Sequence, residues 1–394
     1  MLNSETDLPS TSADVVIIGG GVIGLAIGRA LALRGVSRVL IVERGRWGAE
    51  ASSAAAGIIG PQAEANQADE FFQLACQSRD LYPAWAAALR EESGTDIELD
   101  QTGTLYLAFT AADEAEAAHR YQWQTAAGYD LERLSASEAR TFEPGISPAI
   151  LSALRFPRDM QVDNRRLVAA LTTANERLGV ELAGGCDVGG IRTERERVRA
   201  VETSQGTIFT RHAIIAAGAW SSSISLPDLP PDIPMPRVRI EPVRGQMLCF
   251  ETNPRLAQHV LYSPRGYLVP RSDGRLLAGS TSEHAGFEKR VTTTGIHTLT
   301  EQALEIIPGL GNLPLIDSWA GLRPRADDGL PVLGTCSDIE GLIYATGHFR
   351  NGILLAPITG ELIADAVVGS SCGGLTATLL DAFSPDRFRF AGVQ

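Results

Sequence analysis

Val15-Val16-Ile17-Ile18-Gly19-Gly20-Gly21-Val22-Ile23-Gly24 decides how this chain begins to fold. An unbroken apolar run followed by glycines predicts a strand buried on both faces, turning sharply into a helix. Gly19 permits the tight turn, Gly21 lets the backbone approach a pyrophosphate, and Gly24 allows the helix to pack closely on the strand. Ile23, Ile27 and Leu31 fall on one face of that helix with Ala26 and Ala30 beside them, and Arg34-Gly35 ends it. The next apolar run, Val39 to Val42, closes on Glu43, at about the twenty-residue spacing where a carboxylate accepts hydrogen bonds from a ribose. Together these elements predict a dinucleotide site, with the helix N-terminus offering unpaired N–H groups and partial positive charge to the phosphates.

A length of 394 residues suffices for about two domains. Hydrophobic content of 44% with 21% charged residues fits a globular protein, and a net charge of −13 argues against nucleic acid or an anionic membrane surface as partner. The longest mainly apolar stretch, Val15 to Gly28, is too short to span a bilayer and is broken by the glycine turn. Met1 to Ser12 carry two acids and no base, so they read as a disordered leader and not as a targeting peptide. A cytoplasmic location without membrane association is therefore expected. Cys76, Cys186, Cys249, Cys336 and Cys372 are scattered and form no C-x-x-C, so each reads as a small buried hydrophobe. The histidines show no paired spacing, and no metal site is expected.

Beyond the first βαβ unit, Ser52-Ser53-Ala54-Ala55-Ala56-Gly57-Ile58-Ile59-Gly60 is a run of small residues, which suits either tight packing or close approach of a ring system. Phe71 to Arg90 has helical periodicity, Thr102 to Phe109 alternates as a strand, and the charged, alanine-rich Ala111 to Arg140 reads as a solvated helix. Val162 to Leu178 predicts a helix, Val180 to Leu182 a strand, Ile191 to Phe209 antiparallel strands, and Ala213 to Gly218 a buried parallel strand containing Ala217. The proline-rich Pro227 to Pro242 reads as a crossover between domains. Strands are expected at Gln246 to Glu251, Gly266 to Pro270 and Leu276 to Gly279. A final buried strand, Leu342 to Gly347, runs into a helix from about Ile353.

Arg350 lies beside that helix N-terminus, where a cation opposes the macrodipole by a few tenths to about 1 kcal/mol unless an anion compensates it. It reads either as a ligand-facing arginine or as a surface arginine paired with an acid. Arg323, in Gly321-Leu322-Arg323-Pro324, suits a bidentate grip on a carboxylate, or a structural ion pair. Tyr267 by pattern is a core strand residue, and His348 alone is a satisfied core histidine.

Taken together, the fingerprint, Ser52 to Gly60, Ala216-Ala217-Gly218 and Gly347-His348-Phe349-Arg350-Asn351-Gly352-Ile353-Leu354-Leu355-Ala356-Pro357 resemble the D-amino-acid-oxidase superfamily of FAD amine oxidases, in particular its glycine oxidase branch of the thiamine-pathway type. The resemblance runs from Val15 to about Val367. It implies an α/β and α+β fold: a discontinuous Rossmann-like FAD-binding domain (1–92, 156–225 and 322–394) and a substrate domain with an antiparallel sheet (93–155 and 226–321). It implies noncovalent FAD, since no cysteine stands between Gly321 and Arg325, where sarcosine-oxidase-like relatives attach the flavin. By this similarity Val22, Ile23, Glu43, Arg44, Ser52, Ser53, Gly57, Ile58, Ile59 and Val188 contact FAD, with His348, Phe349, Arg350, Asn351, Gly352, Ile353 and Leu354 around the flavin ring. Arg323 matches a carboxylate-binding arginine, Arg350 a second substrate-side arginine, and Tyr267 a tyrosine over the substrate. Ser282 stands where glycine oxidases carry a methionine, which implies room for a group on the amine nitrogen. The expected reaction is hydride transfer from the α-carbon of glycine or an N-substituted glycine to flavin N5, with molecular oxygen as acceptor, giving an imine and hydrogen peroxide. The alternatives are a D-amino-acid or sarcosine-type oxidase or dehydrogenase of the same fold, or a noncatalytic FAD-binding subunit. The sequence leaves the oligomeric state open, a homo-oligomer included.

Overall fold

The computed structural model describes residues 8–229, 238–369 and 380–389. The strand Val15–Ile18 lies in the middle of a six-stranded sheet. It pairs in parallel with Val39–Glu43 on one side and His212–Ile215 on the other. Glu181–Gly184 and Leu342–Thr346 extend the sheet outward in parallel, and Val332–Thr335 closes one edge antiparallel. Val15–Ile18 is apolar throughout and its neighbours mostly so, because both faces are covered. Val15, Ile17, Val39 and Ile41 meet the helices Val22–Leu33, Glu70–Ser93, Asn164–Arg177 and Gly352–Val368. Val16, Ile18, Leu40 and Val42 face a three-stranded antiparallel sheet, Val188–Thr193, Val198–Thr203 and Gly206–Phe209.

An eight-stranded sheet stands apart from this layer, in the order Leu315–Ala326, Ile240–Glu251, Arg275–Gly279, Gly266–Pro270, Val260–Ser263, Thr104–Ala108, Ser152–Phe156, Glu132–Ser135. Alternation divides its residues: Leu248, Leu268 and Leu276 pack with Leu299, Ala303 and Ile306 of the helix Thr293–Ile306, whereas Met247, Tyr267 and Leu277 face the other way.

Two expectations change, and one strand was not expected. The helix expected over Ala111 to Arg140 stops at Ala126 and is followed by a strand, Glu132–Ser135, and a second helix, Ala136–Phe142. Two capping boxes set this division: Thr110 with Asp113, and Ser135 with Glu138, each mark a helix start. The strand Leu315–Ala326 went unread because Gly321 and Pro324 interrupt its pattern; as the outermost strand it tolerates a proline. It runs through the domain division expected at residues 321 and 322. Finally, the expected leader is partly anchored, with Leu8 against the core and Ser12 bridged to Phe209. Residues 1–7, residues 230–237 of the proline-rich crossover, and Cys372 lie outside the described residues. Among the described residues no helix is long and apolar enough to cross a membrane.

The helix Gly352–Val368 contains Pro357, which cannot donate to the carbonyl four residues back. The Tyr82 hydroxyl donates to that Ile353 carbonyl, and Ser78 Oγ donates to Leu354 O at 2.6 Å. The long helix Glu70–Ser93 thereby holds the start of the C-terminal helix in place.

Candidate functional site

A cavity of about 460 Å³ opens between the carboxyl ends of the parallel strands and the inner face of the eight-stranded sheet. Its floor is the glycine turn. Gly19 has φ +117°, and a Cβ at Gly24 would fall 1.9 Å from Gly19 O, so the turn closes only with glycine at both positions. A Cβ at Gly21 would meet nothing nearer than Ser52 Oγ at 3.3 Å, and would therefore project into the cavity. Val22 N donates to Ser52 Oγ at 2.9 Å, while the other first-turn amides of the helix lack intrahelical acceptors. Glu43 is fixed by Gly20 N and Gly45 N, each at 2.8 Å, one to each carboxylate oxygen. Each oxygen retains a lone pair for a ribose.

Beside Glu43, the Arg44 guanidinium lies 3.6 Å from the Trp220 ring, and Trp220 packs on the exposed Phe287 at 5.4 Å. Lys289 Nζ reaches Glu50 at 2.8 Å. The loop carrying Phe287 and Lys289 is thus tied to Trp220 and Glu50, which both line the cavity. The short helix Ala51–Ala54 packs on the strand Leu315–Ala326 so closely that a Cβ at Gly321 would fall 2.5 Å from Ala54 Cβ. The small-residue run therefore both packs tightly and lines the cavity.

At the far end the turn after Leu342–Thr346 enters the cavity. Phe349 is held at φ +47°, with its N–H on Pro324 O at 2.8 Å, a conformation unusual for a bulky residue and found mainly at ligand sites. His348 is buried with Nε2 3.1 Å from Thr359 Oγ1, and burial pushes its imidazole down to about 3, so it is neutral near pH 7. Arg323 pairs with Val243 across the sheet and its guanidinium passes over Gly245, where any Cβ would collide with it. Its Nη1 donates to Thr281 O at 3.0 Å and its Nη2 to Ser280 Oγ at 2.6 Å. No ion pair engages it among the described residues. Tyr267 shares the lining with Met247, its hydroxyl 3.5 Å from the thioether. Arg350 pairs with Glu64 at 3.2 Å; this carboxylate raises the guanidinium above its ordinary value against the effect of burial.

The cavity lining brings together Gly19, Gly21, Val22, Ile23, Glu43, Arg44, Ser52, Gly57, Ile58, Val188, Ala217, Gly218, Tyr267, Arg323 and the whole run His348 to Leu354. Four expected contacts are off it. Gly24 serves the turn itself. The amide of Ser53 turns back to Gly48 O, and Ile59 is fully buried opposite Met160. Ser282, expected to wall the substrate pocket, is exposed; its strand ends at Gly279, two-residue alternation lapses there, and Ser280 takes the lining position. Glu64, Trp220, Met247 and Ser280 were not anticipated; none sits in a motif. Cys186 lines the cavity beside Val188, and the four described cysteines are free and buried. Away from the cavity, Cys336, Asp338 and Asp386 bring ligand atoms within 4.8 Å of one another, but Arg389 already pairs with both carboxylates.

A model of the FAD dependent oxidoreductase family matches residues 14–366. Glycine oxidase of Geobacillus kaustophilus is 38% identical over 360 residues, 90% of this chain and 92% of that protein. Its crystal structure superposes with a TM-score of 0.87, at 37% identity over 92% of this chain and 96% of the other. The structure of iminodiacetate oxidase from a Chelativorans species aligns with a TM-score of 0.82 at 26% identity, covering 94% of this chain and 98% of that one.

Proposed function

The chain belongs to the FAD dependent oxidoreductase family, and on that premise we propose that it oxidises glycine or an N-substituted glycine at the carbon–nitrogen bond. When bound, FAD would supply the hydride acceptor for oxidation at the substrate α-carbon, with molecular oxygen as the final electron acceptor. The fit of the group rests on the open cradle at Gly21, the free first-turn amides and the fixed Glu43 carboxylate. We assign the pyrophosphate to Gly19 to Ile23, the ribose to Glu43, and the flavin ring to the segment His348 to Leu354. Among the described residues no cysteine lies at the Arg323 end of the cavity, which supports noncovalent attachment.

One observation carries the substrate assignment: Arg323 faces the cavity with no carboxylate partner among the described residues, which engage two of its five N–H groups. A substrate carboxylate completes it. Arg323 and Tyr267 then fix the carboxylate so that the α-carbon is oriented toward the ring, converting binding into positioning. Neutral His348 adds no charge beside that ring. A noncatalytic FAD subunit has no use for such a clamp. The discontinuous division into FAD-binding and substrate domains, and a cytoplasmic site of action in keeping with the free cysteines, belong to the same reading.

The test is anaerobic mixing of the yellow protein with glycine, sarcosine, longer N-alkyl glycines and D-amino acids. Bleaching of the flavin by glycine or N-alkyl glycines, with peroxide released on readmitting air, is the expected result. Bleaching by D-amino acids with larger side chains in preference to glycines would select the alternative oxidase. No bleaching by any amine would remove the assignment.

A further inference from the structure

The substrate end of the cavity contains two arginines, and only one is free. Arg323 has no acidic partner among the described residues, whereas Arg350 is held by Glu64 at 3.2 Å. Behind that pair opens a second cavity of about 390 Å³, and Glu64, Arg350, Asn351 and Leu354 form the wall shared by both. Its remaining lining includes Asn66, Gln67 and Phe71, and adds the acid Asp69 but no further cation.

We propose that Glu64 sets the charge specificity of the site: by occupying Arg350 it leaves a single free guanidinium, so glycines with one carboxylate are accepted and those carrying a second carboxylate on the nitrogen substituent are rejected. This rests on the amine-oxidase reading above. Arg323, Arg350 and Glu64 together carry one net positive charge, which one substrate carboxylate neutralises. A dicarboxylate must displace Glu64 from Arg350 and leave that carboxylate unpaired, with Asp69 in the same cavity and no cation there to receive it. Removing the Glu64 charge releases Arg350, and the second cavity supplies the space for an N-carboxymethyl group. Glu64 touches no reacting atom. It is a positioning residue that acts through Arg350.

The holoenzyme is assayed with sarcosine and with iminodiacetate, as wild type, Glu64→Gln and Glu64→Asp. The wild type is expected to prefer sarcosine. Glu64→Gln should raise the iminodiacetate-to-sarcosine ratio of kcat/KM by about tenfold or more, mainly through KM, as expected when one partner of a close charge pair is removed. Glu64→Asp, which keeps the charge, should retain the wild-type order. An unchanged ratio in Glu64→Gln, or a wild type that oxidises iminodiacetate as well as sarcosine, overturns the proposal. Titration of the wild type with acetate and malonate, followed by flavin absorbance, decides the point independently of turnover and of whether any variant folds. Tighter acetate supports the proposal and tighter malonate overturns it. If neither amine reduces the flavin, the function reading fails, and the same titration still settles the role of Glu64.

Discussion

Arg323 and Asp159 show how far one residue's surroundings dictate its behaviour. Arg323→Ala should leave FAD bound but raise the substrate concentration for half-maximal anaerobic flavin reduction about ten- to a hundredfold, because charged hydrogen bonds contribute about 1.5–3 kcal/mol. Unchanged affinity and rate would make Arg323 structural. Asp159 is fully buried near Gly60, and burial pushes its carboxyl up to about 7 despite the nearby Arg79. The folded state therefore binds a proton that the unfolded chain releases near pH 4, so this residue costs stability as pH rises from about 4 to 7, by up to about 1.4 kcal/mol per unit. Thermal melts of Asp159→Asn and wild type should diverge in favour of the variant between pH 5 and pH 8; a constant difference would mean that Asp159 is already ionised at pH 5. Glu43, expected from its spacing, and Ser52, expected from similarity, both line the cavity. Glu64, Met247 and Ser280 were not legible in the sequence, because only pairing between distant strands and helices brings them to the cavity. Ser282, expected from similarity at the substrate wall, lies off the lining because its strand has already ended at Gly279.

The C-terminal helix was readable as an element from its strand, turn and apolar run. Its support was not. The tyrosine that satisfies the carbonyl freed by Pro357 lies 271 residues away in sequence. Tyr82→Phe should leave that buried carbonyl unpaired and lower stability by about 1–3 kcal/mol, read as a fall in Tm of the FAD-loaded protein. No change in Tm would show that water or another donor replaces the hydroxyl. The missed strand Leu315–Ala326 belongs to the same class: Pro324 pairs opposite Pro242, and nothing local reveals that a proline-bearing segment has found an outer edge.

Across the whole molecule the parallel layer and the eight-stranded sheet meet at the cavity, and the loop with Phe287 and Lys289 ties one to the other through Trp220 and Glu50. Lys289→Ala should speed FAD release several-fold at low salt and much less at high salt, since the pair is exposed and screened. Flavin fluorescence after dilution measures it, and an unchanged release rate at low salt would show that the loop does not hold the cofactor. The order of the parallel strands has a consequence for how the protein is made. Leu342–Thr346 lies directly beside His212–Ile215, and the segment behind it completes the site begun at Val15. A growing chain on the ribosome can form the first βαβ unit early, but its cavity stays open until the segment after Leu342–Thr346 has emerged. Until then the apolar run Ala213-Ile214-Ile215 presents an open edge, which invites association between chains. A chain stopped at residue 341 should emerge colourless and prone to aggregate, and recovery of such a chain in monomeric, yellow form would show that the first half of the site suffices.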